Sequence, residues 1–567
     1  MGLPAIDPQT LGPVGLIAIL PLPILAAYVL IIVGFVSSLG EALVTTRWPL
    51  FFLVSLILLL HATPAISYET LRYSWAWKHI GVIDYIMRTG HIDQSARFLS
   101  AYHNWPGFFI FFATIGNLFR LDALQIADLA RFSPTVLNLA YLAVLPLLFS
   151  NFTADRRIIW AGTGVFLLGN WVGQDYFSPQ GVALLFYLSL LALATGPLSQ
   201  RAVAALVTSD GTPLKRPLFW GAPATQPKAK YLPLALLLII AITVTHQLTP
   251  LFVLAALFAL FVIGRLSPGF FIFALVAELA WLLYFATPFV APILGELVAE
   301  FGAVGTGTVE RLVDLEIVSD GQRIVSLASR GLTLAIAAAG ALGMLVRWLG
   351  GYRDVTVLAL LFAPMPLLVA TPYGGEIAFR LYLFALPLLS FFAANLFFAE
   401  SRPVLGRGAS RLGLFALVLI ALVPGFILAN NGKDQQYWFS TSEIEAANWL
   451  YTNSTPGQLL IEGSRNYPSQ FRNYENFIYV PLVDELPEIE EPLVSAPDVM
   501  LARWLSESEH GGYIIITDSQ KALFDSLGVL PPGGLQRIET ALLASPLLKL
   551  AYSTRDTSIF TLAGAGR

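Results

Sequence analysis

Residues 48–90 read WPLFFLVSLILLLHATPAISYETLRYSWAWKHIGVIDYIMRTG, an apolar run followed at once by a polar stretch rich in aromatic residues. The run 48–66 is long enough to cross a bilayer, which takes about 20 apolar residues. The stretch after it carries charged side chains and a histidine, so it is too polar to span. A membrane helix therefore ends here and a long external loop begins.

The composition of the whole chain agrees with this interpretation. The 567 residues are 56% hydrophobic and 12% charged, whereas a soluble protein is about 25% charged. This composition excludes a cytosolic enzyme, a disordered protein and a nucleic-acid binder, and it leaves a polytopic membrane protein. The sequence contains no cysteine, which excludes disulfides, thiolate metal sites and cysteine nucleophiles.

The pattern predicts a polytopic α-helical membrane domain over residues 1–430 and a small α/β domain over 431–567. The second region holds nine Lys and Arg against seventeen Asp and Glu, so an acidic tail follows the apolar body. Since no Lys or Arg precedes Arg47, we expect no signal peptide and a first span that stays in the mature protein. We expect about 12 to 14 spans, and the apolar runs are 14–38, 48–66, 134–150, 158–172, 180–198, 231–248, 250–265, 269–290, 329–349, 355–371, 380–399 and 412–430.

Lys and Arg cluster in alternate connections between these runs, which sets the orientation because short cytoplasmic loops are enriched in them. The clustered residues are Arg156, Arg157, Arg201, Lys215, Arg216, Lys228, Lys230, Arg347, Arg353, Arg402, Arg407 and Arg411. With these in the cytoplasm, the outward segments are 67–133, 173–179, 291–328, 372–379 and the tail. We therefore expect a multi-pass protein of the cell membrane whose active face and C-terminal domain are extracytoplasmic.

Two kinds of local structure are expected in the outward segments. The first external loop, 67–133, should carry an amphipathic helix at the membrane interface around Trp77, Ile80 and Ile83, then a short re-entrant helix over 107–119. In the tail, Ser442 is a candidate cap for a helix, LLIEG and YIIITDS resemble buried strands, and LKLAYSTRDTSIFTL resembles a closing strand pair.

The first external loop holds one candidate cluster of catalytic side chains. Four of the six histidines of the chain fall between residues 61 and 103. A carboxylate near the interface can act as a general base on a hydroxyl, and a nearby histidine can relay protons. The alternatives are a solvated helix face, or a zinc site from three of the histidines, whose spacing is not tight. The cluster comprises Glu69, His79, Asp84, His91, Asp93 and His103.

Two further clusters lie where spans reach the outer surface. NWVGQDYFSPQ, residues 170–180, places Gln174, Asp175, Tyr176 and Gln180 at the boundary. Amides, a carboxylate and an aromatic face suit recognition of a sugar or polar headgroup, although a plain polar turn is the alternative. TVTHQLTP, residues 243–250, places His246 and Gln247 at the end of a span, where a histidine marks either a site or a satisfied structural contact.

The fourth cluster is TPYGGEIAFRLYLFALP, residues 371–387. Glu376 and Arg380 stand one helical turn apart and can pair with each other. Alternatively, Arg380 and the backbone amides of Gly374 and Gly375 can bind a phosphate, whose oxygens match the planar guanidinium. The predicted topology delivers all four clusters to one side of the membrane bundle.

The layout resembles the GT-C superfamily of integral-membrane glycosyltransferases. The resemblance is carried by ETLRYSWAWKHIGVIDYIMRTG, which is similar to the opening of that family's first loop, by HNWPGFF at the next juxtamembrane helix, and by ARFSPTVLNLAYLAVLPLLF at the span that follows. The pattern is also similar to bacterial membrane proteins of exopolysaccharide loci. It implies a polytopic GT-C-like bundle with an extracytoplasmic α/β tail.

The resemblance also implies a function and roles for the candidate residues. The expected function is inverting transfer of a sugar from a polyprenyl-phosphate donor to a glycan, lipid or protein acceptor at the bilayer surface, without nucleic acid. Glu69, or Asp84 as second candidate, would deprotonate the acceptor hydroxyl. Arg380 and His246 would bind the donor phosphate. The substrate-binding residues would be His79, His103, Gln174, Asp175, Tyr176, Gln180, Gln247 and Glu376.

Three alternatives remain open at this stage. A lipid-linked glycan ligase or polymerase would use a lipid-diphosphate donor and more cations at the phosphate. A transporter or flippase would need charge within a span, for which Glu278 is the candidate. A scaffold would use its tail to bind partners. No cofactor is required by the sequence, and a divalent metal is left open.

Overall fold

The chain is described by a computed structural model that covers residues 6–40, 45–201, 226–300, 314–370, 376–398, 409–486 and 488–564. The first half of the membrane domain contains α1 (Leu22–Ser37), α2 (Arg47–Ser67), α3 (Ser74–Thr89), α4 (Ser100–Asn104), α5 (Gly107–Phe119), α6 (Ala123–Ala130), α7 (Ser133–Ser150), α8 (Arg156–Gly169) and α9 (Pro179–Thr195). The second half contains α10 (Leu232–Thr245), α11 (Thr249–Val262), α12 (Pro268–Phe285), α13 (Thr287–Glu300), α14 (Asp320–Leu349), α15 (Val355–Phe362), α16 (Ile377–Phe398) and α17 (Ala409–Asn431).

The helices confirm a polytopic membrane protein. Within the described ranges, six helices are long and apolar enough to cross a membrane, and five shorter apolar helices of 10–17 residues accompany them. Each of the twelve predicted apolar runs falls on a helix. In lipid, a single apolar segment can hydrogen-bond all its backbone N–H and C=O groups only as a helix. The helix α16 is the most enclosed of the six.

The first external loop folds onto the bundle. Its α5 turns through 114° into α6, as expected for an apolar segment too short to span. The apolar face of α3, which the sequence pattern assigned to the membrane interface, is buried inside the protein. Its Trp77, Ile80 and Ile83 are buried, and the Trp77 ring packs edge-on against Phe471 of the C-terminal domain at 5.2 Å. That domain covers the apolar face that the sequence pattern assigned to lipid.

The C-terminal domain is α/β, as predicted. Its sheet has the strand order β2-β1-β3-β5-β4, in which β1 is parallel to β2 and β3 while β5 is antiparallel to β3 and β4. The strands are β1 (Gln458–Glu462), β2 (Phe477–Pro481), β3 (Gly512–Thr517), β4 (Leu548–Ser553) and β5 (Thr557–Leu562). The helices are α18 (Thr441–Thr452), α19 (Pro497–Glu507), α20 (Asp518–Leu527) and α21 (Gly534–Ala544), with short turns at Leu482–Glu485 and Glu490–Ser495.

One detail of this domain differs from the sequence prediction. The cap of α18 is Ser440 and not Ser442. The Ser440 hydroxyl accepts from the backbone N–H of Glu443 at 3.1 Å, and the Glu443 carboxylate accepts from the backbone N–H of Ser440 at 3.2 Å. This reciprocal pair is a capping box. The strand β2 was not predicted at all.

Candidate active site

Four of the five segments predicted to face outward contribute to a cavity of about 300 Å³, and the described part of the segment 291–328 does not. We name this space the central cavity. Its walls come from the ends of α2 and α17, the start of α16, the turn after α2 and the loop after α8. It is lined by His61, Pro64, Ala65, Tyr68, Thr70, Arg72, Tyr73, Arg131, Pro134, Trp171, Val172, Gly173, Gln174, Asp175, Tyr176, Ser329, Glu376, Phe379, Arg380, Ala429, Asn430, Lys433 and Tyr437.

A smaller pocket of about 80 Å³ adjoins the central cavity, and we name it the side pocket. The two spaces share Gln174, Tyr176 and Arg380 as a common wall. The structure thus brings together nine predicted site residues from four separate segments. They are Gln174, Asp175, Tyr176, Glu376 and Arg380 in the central cavity, and His79, Gln180, His246 and Gln247 in the side pocket.

Arg380 occupies the first turn of α16 and is only 8% exposed. Its Nη2 donates to the carboxylate of Glu376, so the predicted pair forms. Its Nε and Nη1 are buried and meet no hydrogen-bond acceptor among the described residues. Because a buried guanidinium N–H without a partner is costly, these two groups are available to a ligand. Gly374 and Gly375, whose amides were predicted to assist, lie outside the described residues.

Sequence reasoning missed three other cations of the central cavity, namely Arg72, Arg131 and Lys433. Arg72 forms an ion pair with Asp434 at 2.7 Å. Arg131 donates from Nη1 to the backbone carbonyl oxygen of Glu69. The fold thus adds cations to this cavity from the segment 67–133 and from the segment after α17.

The turn after α2 explains how Arg72 enters the cavity. Glu69 and Tyr73 both have positive φ, 59° and 76°, which is unusual for side chains of this size. The turn is fixed by two contacts with the segment after α17. Thr70 donates from its hydroxyl to the carbonyl of Phe439 at 2.7 Å, and the backbone N–H of Tyr73 donates to the carbonyl of Tyr437 at 2.9 Å.

Asp175 is the carboxylate held deepest in the central cavity wall. Its Oδ2 accepts from Nδ2 of Asn138 at 2.5 Å and lies 3.8 Å from Nδ1 of His61. Asn170 in turn donates to Oδ1 of Asn138 at 3.2 Å, so the carboxylate is oriented by a chain of amides. His61 was not assigned a role from sequence, although a histidine inside an apolar run is itself a signal of a site.

His79 presents an acceptor to the side pocket. Its Nδ1 lies 2.7 Å from the carbonyl oxygen of Phe177, which can only accept, so Nδ1 carries the proton. Nε2 is therefore an acceptor, and it meets no partner in the described part of the chain. Burial lowers the pKa of His79 to about 4, which keeps the ring neutral at pH 7. The ring stacks on Tyr176, with centroids 5.6 Å apart.

His246 presents the opposite group. Its Nδ1 accepts from the backbone N–H groups of Leu248 and Thr249, at 3.3 and 3.2 Å, and so caps the start of α11. In the neutral ring Nε2 must then carry the proton and act as a donor. The structural contact is therefore present, and the same residue also lines the side pocket.

Three predicted residues do not line either space. Glu69 is exposed and lines a separate groove on the outer side of the turn. Asp84 pairs with Arg88 at 2.7 Å; burial raises the pKa of Asp84 and the contact with Arg88 opposes this. His103 is hydrogen-bonded to the hydroxyl of Tyr474. Glu69 therefore shares neither space with Asp175, His246 and Arg380, because the geometry of the turn directs it to the other side.

Across the described ranges, no three His, Asp or Glu side chains come close enough together to hold a metal ion. This includes the three histidines considered from sequence, His79, His91 and His103. No role in the site is therefore assigned to a metal.

The architecture matches known structures. The chain aligns with the oligosaccharyltransferase of Archaeoglobus fulgidus in the apo form over 88% of its own length and 73% of that protein, with 13% identity and a TM-score of 0.53. With the same enzyme tethered to an acceptor peptide containing the NVT sequon, the alignment covers 88% of this chain and 72% of that protein, with 13% identity and a TM-score of 0.52. With ArnT from Cupriavidus metallidurans bound to undecaprenyl phosphate, it covers 92% of this chain and 100% of that protein, with 12% identity and a TM-score of 0.53.

This chain has the GT-C fold. The alignment extends over the bundle and into the C-terminal domain, so the resemblance first seen in the sequence is confirmed at the level of architecture. No protein-family model matches the sequence, and a search of curated proteins gives no significant match. At 12–13% identity the GT-C neighbours establish the fold, and the function must be argued from the site.

Proposed function

We propose that this protein transfers a sugar from a polyprenyl-phosphate donor to an acceptor hydroxyl, with inversion, on the extracytoplasmic side of the membrane. The observation that carries the proposal is Arg380. It is buried between the central cavity and the side pocket, and its Nε and Nη1 have no acceptor in the described structure. A phosphate oxygen pair is the ligand that best satisfies such a fork.

The charge of the central cavity supports a monophosphate. Four cations and two carboxylates line it, and a further carboxylate, Asp434, holds Arg72. The surplus is one positive charge, counting histidine as neutral. A sugar joined to a lipid through one phosphate is a phosphodiester with a single negative charge. Such a donor would neutralise the cavity, whereas a diphosphate would leave it with excess negative charge.

The groups around the shared wall suit the sugar of that donor. Nε2 of His79 is a hydrogen-bond acceptor and Nε2 of His246 is a donor. The sugar hydroxyls can therefore both donate and accept hydrogen bonds here. The amide of Gln180 has a buried Nε2 without a partner among the described residues. Tyr176 offers a ring between the two spaces. Asp175, already oriented by Asn138, would accept from a further sugar hydroxyl.

The proposed reaction is a direct displacement at the anomeric carbon. The acceptor hydroxyl oxygen bonds to the anomeric carbon as the bond from that carbon to the phosphate oxygen breaks. The leaving electron pair stays on the phosphate, which Arg380 stabilises, so no acid is needed there. The hydroxyl proton passes to a carboxylate. We assign that role to Glu69, which faces the groove on the outer side of the turn after α2, so the acceptor hydroxyl would approach the donor past that turn. The side chain of Glu69 has no partner among the described residues, whereas Asp84 is already bound by Arg88.

The structural neighbours support the chemical class. ArnT is described with undecaprenyl phosphate and the oligosaccharyltransferase with an acceptor peptide, and both share this fold. A lipid-borne donor is also what an outward site requires, because nucleotide sugars are confined to the cytosol. Such a donor reaches the cavity from within the bilayer.

A second candidate is a ligase or polymerase that uses a lipid-diphosphate donor. The observation that favours it is the presence of Arg72, Arg131 and Lys433 beside Arg380, since more cations can bind more phosphate charge. Two of the four are already matched by carboxylates, Arg72 by Asp434 and Arg380 by Glu376. The monophosphate donor is therefore the first choice.

The test is binding of undecaprenyl phosphate and undecaprenyl diphosphate to the purified protein by native mass spectrometry. We expect the monophosphate to bind more tightly, and Arg380→Gln to weaken it by about tenfold or more. The control is Arg503→Gln, which removes a similar one-turn pair with Glu507 on the exposed surface of the C-terminal domain. Equal binding by both variants would reject the proposal, and preference for the diphosphate would favour the second candidate.

A further inference from the structure

A second large space lies outside the central cavity. It is a groove of about 880 Å³ between residues 6–9 of the N-terminal segment, the turn 66–70, and two parts of the C-terminal domain, 438–442 and 555–556. We name it the outer groove. It is larger than the central cavity, and it is the space that Glu69 faces.

The outer groove and the central cavity share a wall made by Tyr68 and Thr70. This wall is held firmly. The Tyr68 hydroxyl donates to Oδ2 of Asp434 at 2.5 Å, and the other oxygen of the same carboxylate binds Arg72 in the central cavity. The carboxylate of Asp434 therefore holds both Tyr68 in the shared wall and Arg72 in the central cavity.

Glu69 stands at this partition on the side of the outer groove. Its backbone has a φ of 59°, and its carbonyl oxygen accepts from Arg131, which itself lines the central cavity. Its carboxylate makes no hydrogen bond or ion pair with any residue in the described ranges. Non-glycine residues with positive φ persist only where the surroundings impose them. Here the turn places a free carboxylate in one space while anchoring its backbone to the other.

The side chains of the outer groove suit a hydroxylated ligand without negative charge. Among the described residues that line the groove, the carboxylates of Asp7, Glu69 and Asp556 face one cation, Arg555, whose Nη1 donates to Gln9 at 3.1 Å. This excess of negative charge opposes a phosphate or an acidic glycan. The carboxylates are acceptors for hydroxyl protons.

Hydroxyl and aromatic groups complete the lining. Ser440 and Ser442 both donate to Oδ2 of Asp556 at 2.6 Å, which orients that carboxylate in the groove. Trp438 contributes a partly buried indole whose Nε1 donates to the carbonyl of Tyr68. An indole face beside oriented carboxylates is an arrangement that packs against sugar rings and accepts from their hydroxyls.

We infer that the outer groove binds the acceptor of the reaction and that this acceptor is a neutral saccharide. The assignment as acceptor rests on the proposed function; the assignment as a saccharide site rests on the groove itself. In the proposed reaction the saccharide hydroxyl reaches the donor past the edge of the turn 66–70, which is the boundary between the two spaces. Its oxygen bonds to the anomeric carbon as the bond from that carbon to the phosphate oxygen breaks, its proton passes to Glu69, and the lipid phosphate is released.

The test measures binding of defined oligosaccharides to the full-length protein in detergent by saturation-transfer NMR. The probes are maltohexaose, chitohexaose and a mannohexaose as neutral ligands, and a hyaluronan hexasaccharide as an acidic one. Thr441→Trp fills the outer groove from an exposed position, and Thr540→Trp makes the same change at an exposed position on α21. We expect a neutral probe to bind the wild type, and Thr441→Trp to weaken it by about tenfold or more while Thr540→Trp does not.

The outcomes separate the two proposals. Arg380→Gln should leave oligosaccharide binding intact, and Thr441→Trp should leave binding of undecaprenyl phosphate intact. If Arg380→Gln does not weaken binding of undecaprenyl phosphate but the oligosaccharide results are as expected, the proposed function is rejected and the saccharide site is kept. If no neutral oligosaccharide binds, if only the acidic one binds, or if Thr441→Trp and Thr540→Trp behave alike, the saccharide site is rejected.

Discussion

Arg72 and Asp434 form an ion pair at 2.7 Å that joins the start of the first external loop to the segment after the last membrane helix. Asp434 is fully buried and also accepts from Tyr68 and from Nδ2 of Asn431, at 2.5 and 2.8 Å. These contacts close the central cavity on one side. The pair thus links parts of the chain that lie far apart in sequence.

Asp434→Asn should destabilise the protein. It removes the charge that faces Arg72, and breaking a buried pair on one side costs about 3 kcal/mol or more. Thermal unfolding in detergent should show a lower midpoint than the wild type. The control Glu507→Gln removes an exposed pair with Arg503 and should change the midpoint little. Equal midpoints for the two variants would show that the pair does not support the fold.

Glu376→Gln should strengthen binding of undecaprenyl phosphate. The substitution removes a negative charge beside Arg380 and weakens the bond that occupies its Nη2. Because Glu376 is half exposed, the gain should be modest, about threefold to tenfold. Titration of the lipid by native mass spectrometry measures it. A loss of affinity would mean that Glu376 orients Arg380 more than it competes with the phosphate.

Glu69→Gln and Asp84→Asn should have different effects on sugar transfer. Glu69 is assigned as the base, so Glu69→Gln should lower the transfer rate by about a hundredfold or more. Binding of undecaprenyl phosphate should stay unchanged, because Glu69 lies outside the central cavity. Asp84→Asn should mainly lower stability, since it loses the pair with Arg88. The converse result, with transfer lost only in Asp84→Asn, would reverse the assignment.

His79 should make the protein less stable in acid. Burial lowers its pKa in the folded protein to about 4, while an unfolded chain has a pKa of about 6.5. Between these values the unfolded state binds a proton that the folded state does not, so stability falls as pH drops from about 6.5 towards 4. The unfolding midpoint of the wild type should therefore fall more over this window than that of His79→Gln. Parallel curves would contradict the assignment.

Gly81→Ala should loosen the contact between α3 and the C-terminal domain. A Cβ at Gly81 would lie 1.8 Å from the carbonyl oxygen of Gln470, so the helix or the loop must move. Such overpacking costs about 1–3 kcal/mol. Gly331→Ala is the matched control in α14, because nothing lies within 4 Å of its added Cβ and alanine favours a helix. A midpoint for Gly81→Ala at or above that of Gly331→Ala would rule out a close contact.

The membrane helices could be predicted from the sequence because the signal is local. An apolar run of sufficient length must become a helix in lipid, whatever surrounds it. The partners of an amphipathic face are not local information. The apolar side of α3 was assigned to the membrane interface, but Phe471 and Tyr451 cover it. The strand β2 was missed, although the fold buries every second one of its five residues.

The candidate site also combines residues that local sequence reveals with residues that only distant contacts bring together. Gln174, Tyr176 and Arg380 were found because polar residues at the ends of apolar runs are conspicuous. Arg72 and Lys433 were missed, since their convergence depends on a turn held by contacts with a distant segment. The same turn misled the placement of Glu69. Its position just after a span suggested the pocket, and its positive φ sends the side chain to the outer groove.

The most direct test of the proposed donor site is an electron cryo-microscopy structure of the protein with undecaprenyl phosphate. We expect phosphate density in the central cavity, within hydrogen-bond distance of Nε and Nη1 of Arg380, with the lipid chain leaving between membrane helices. Phosphate density bound elsewhere on the bundle, with Nε and Nη1 of Arg380 still without a ligand, would contradict it.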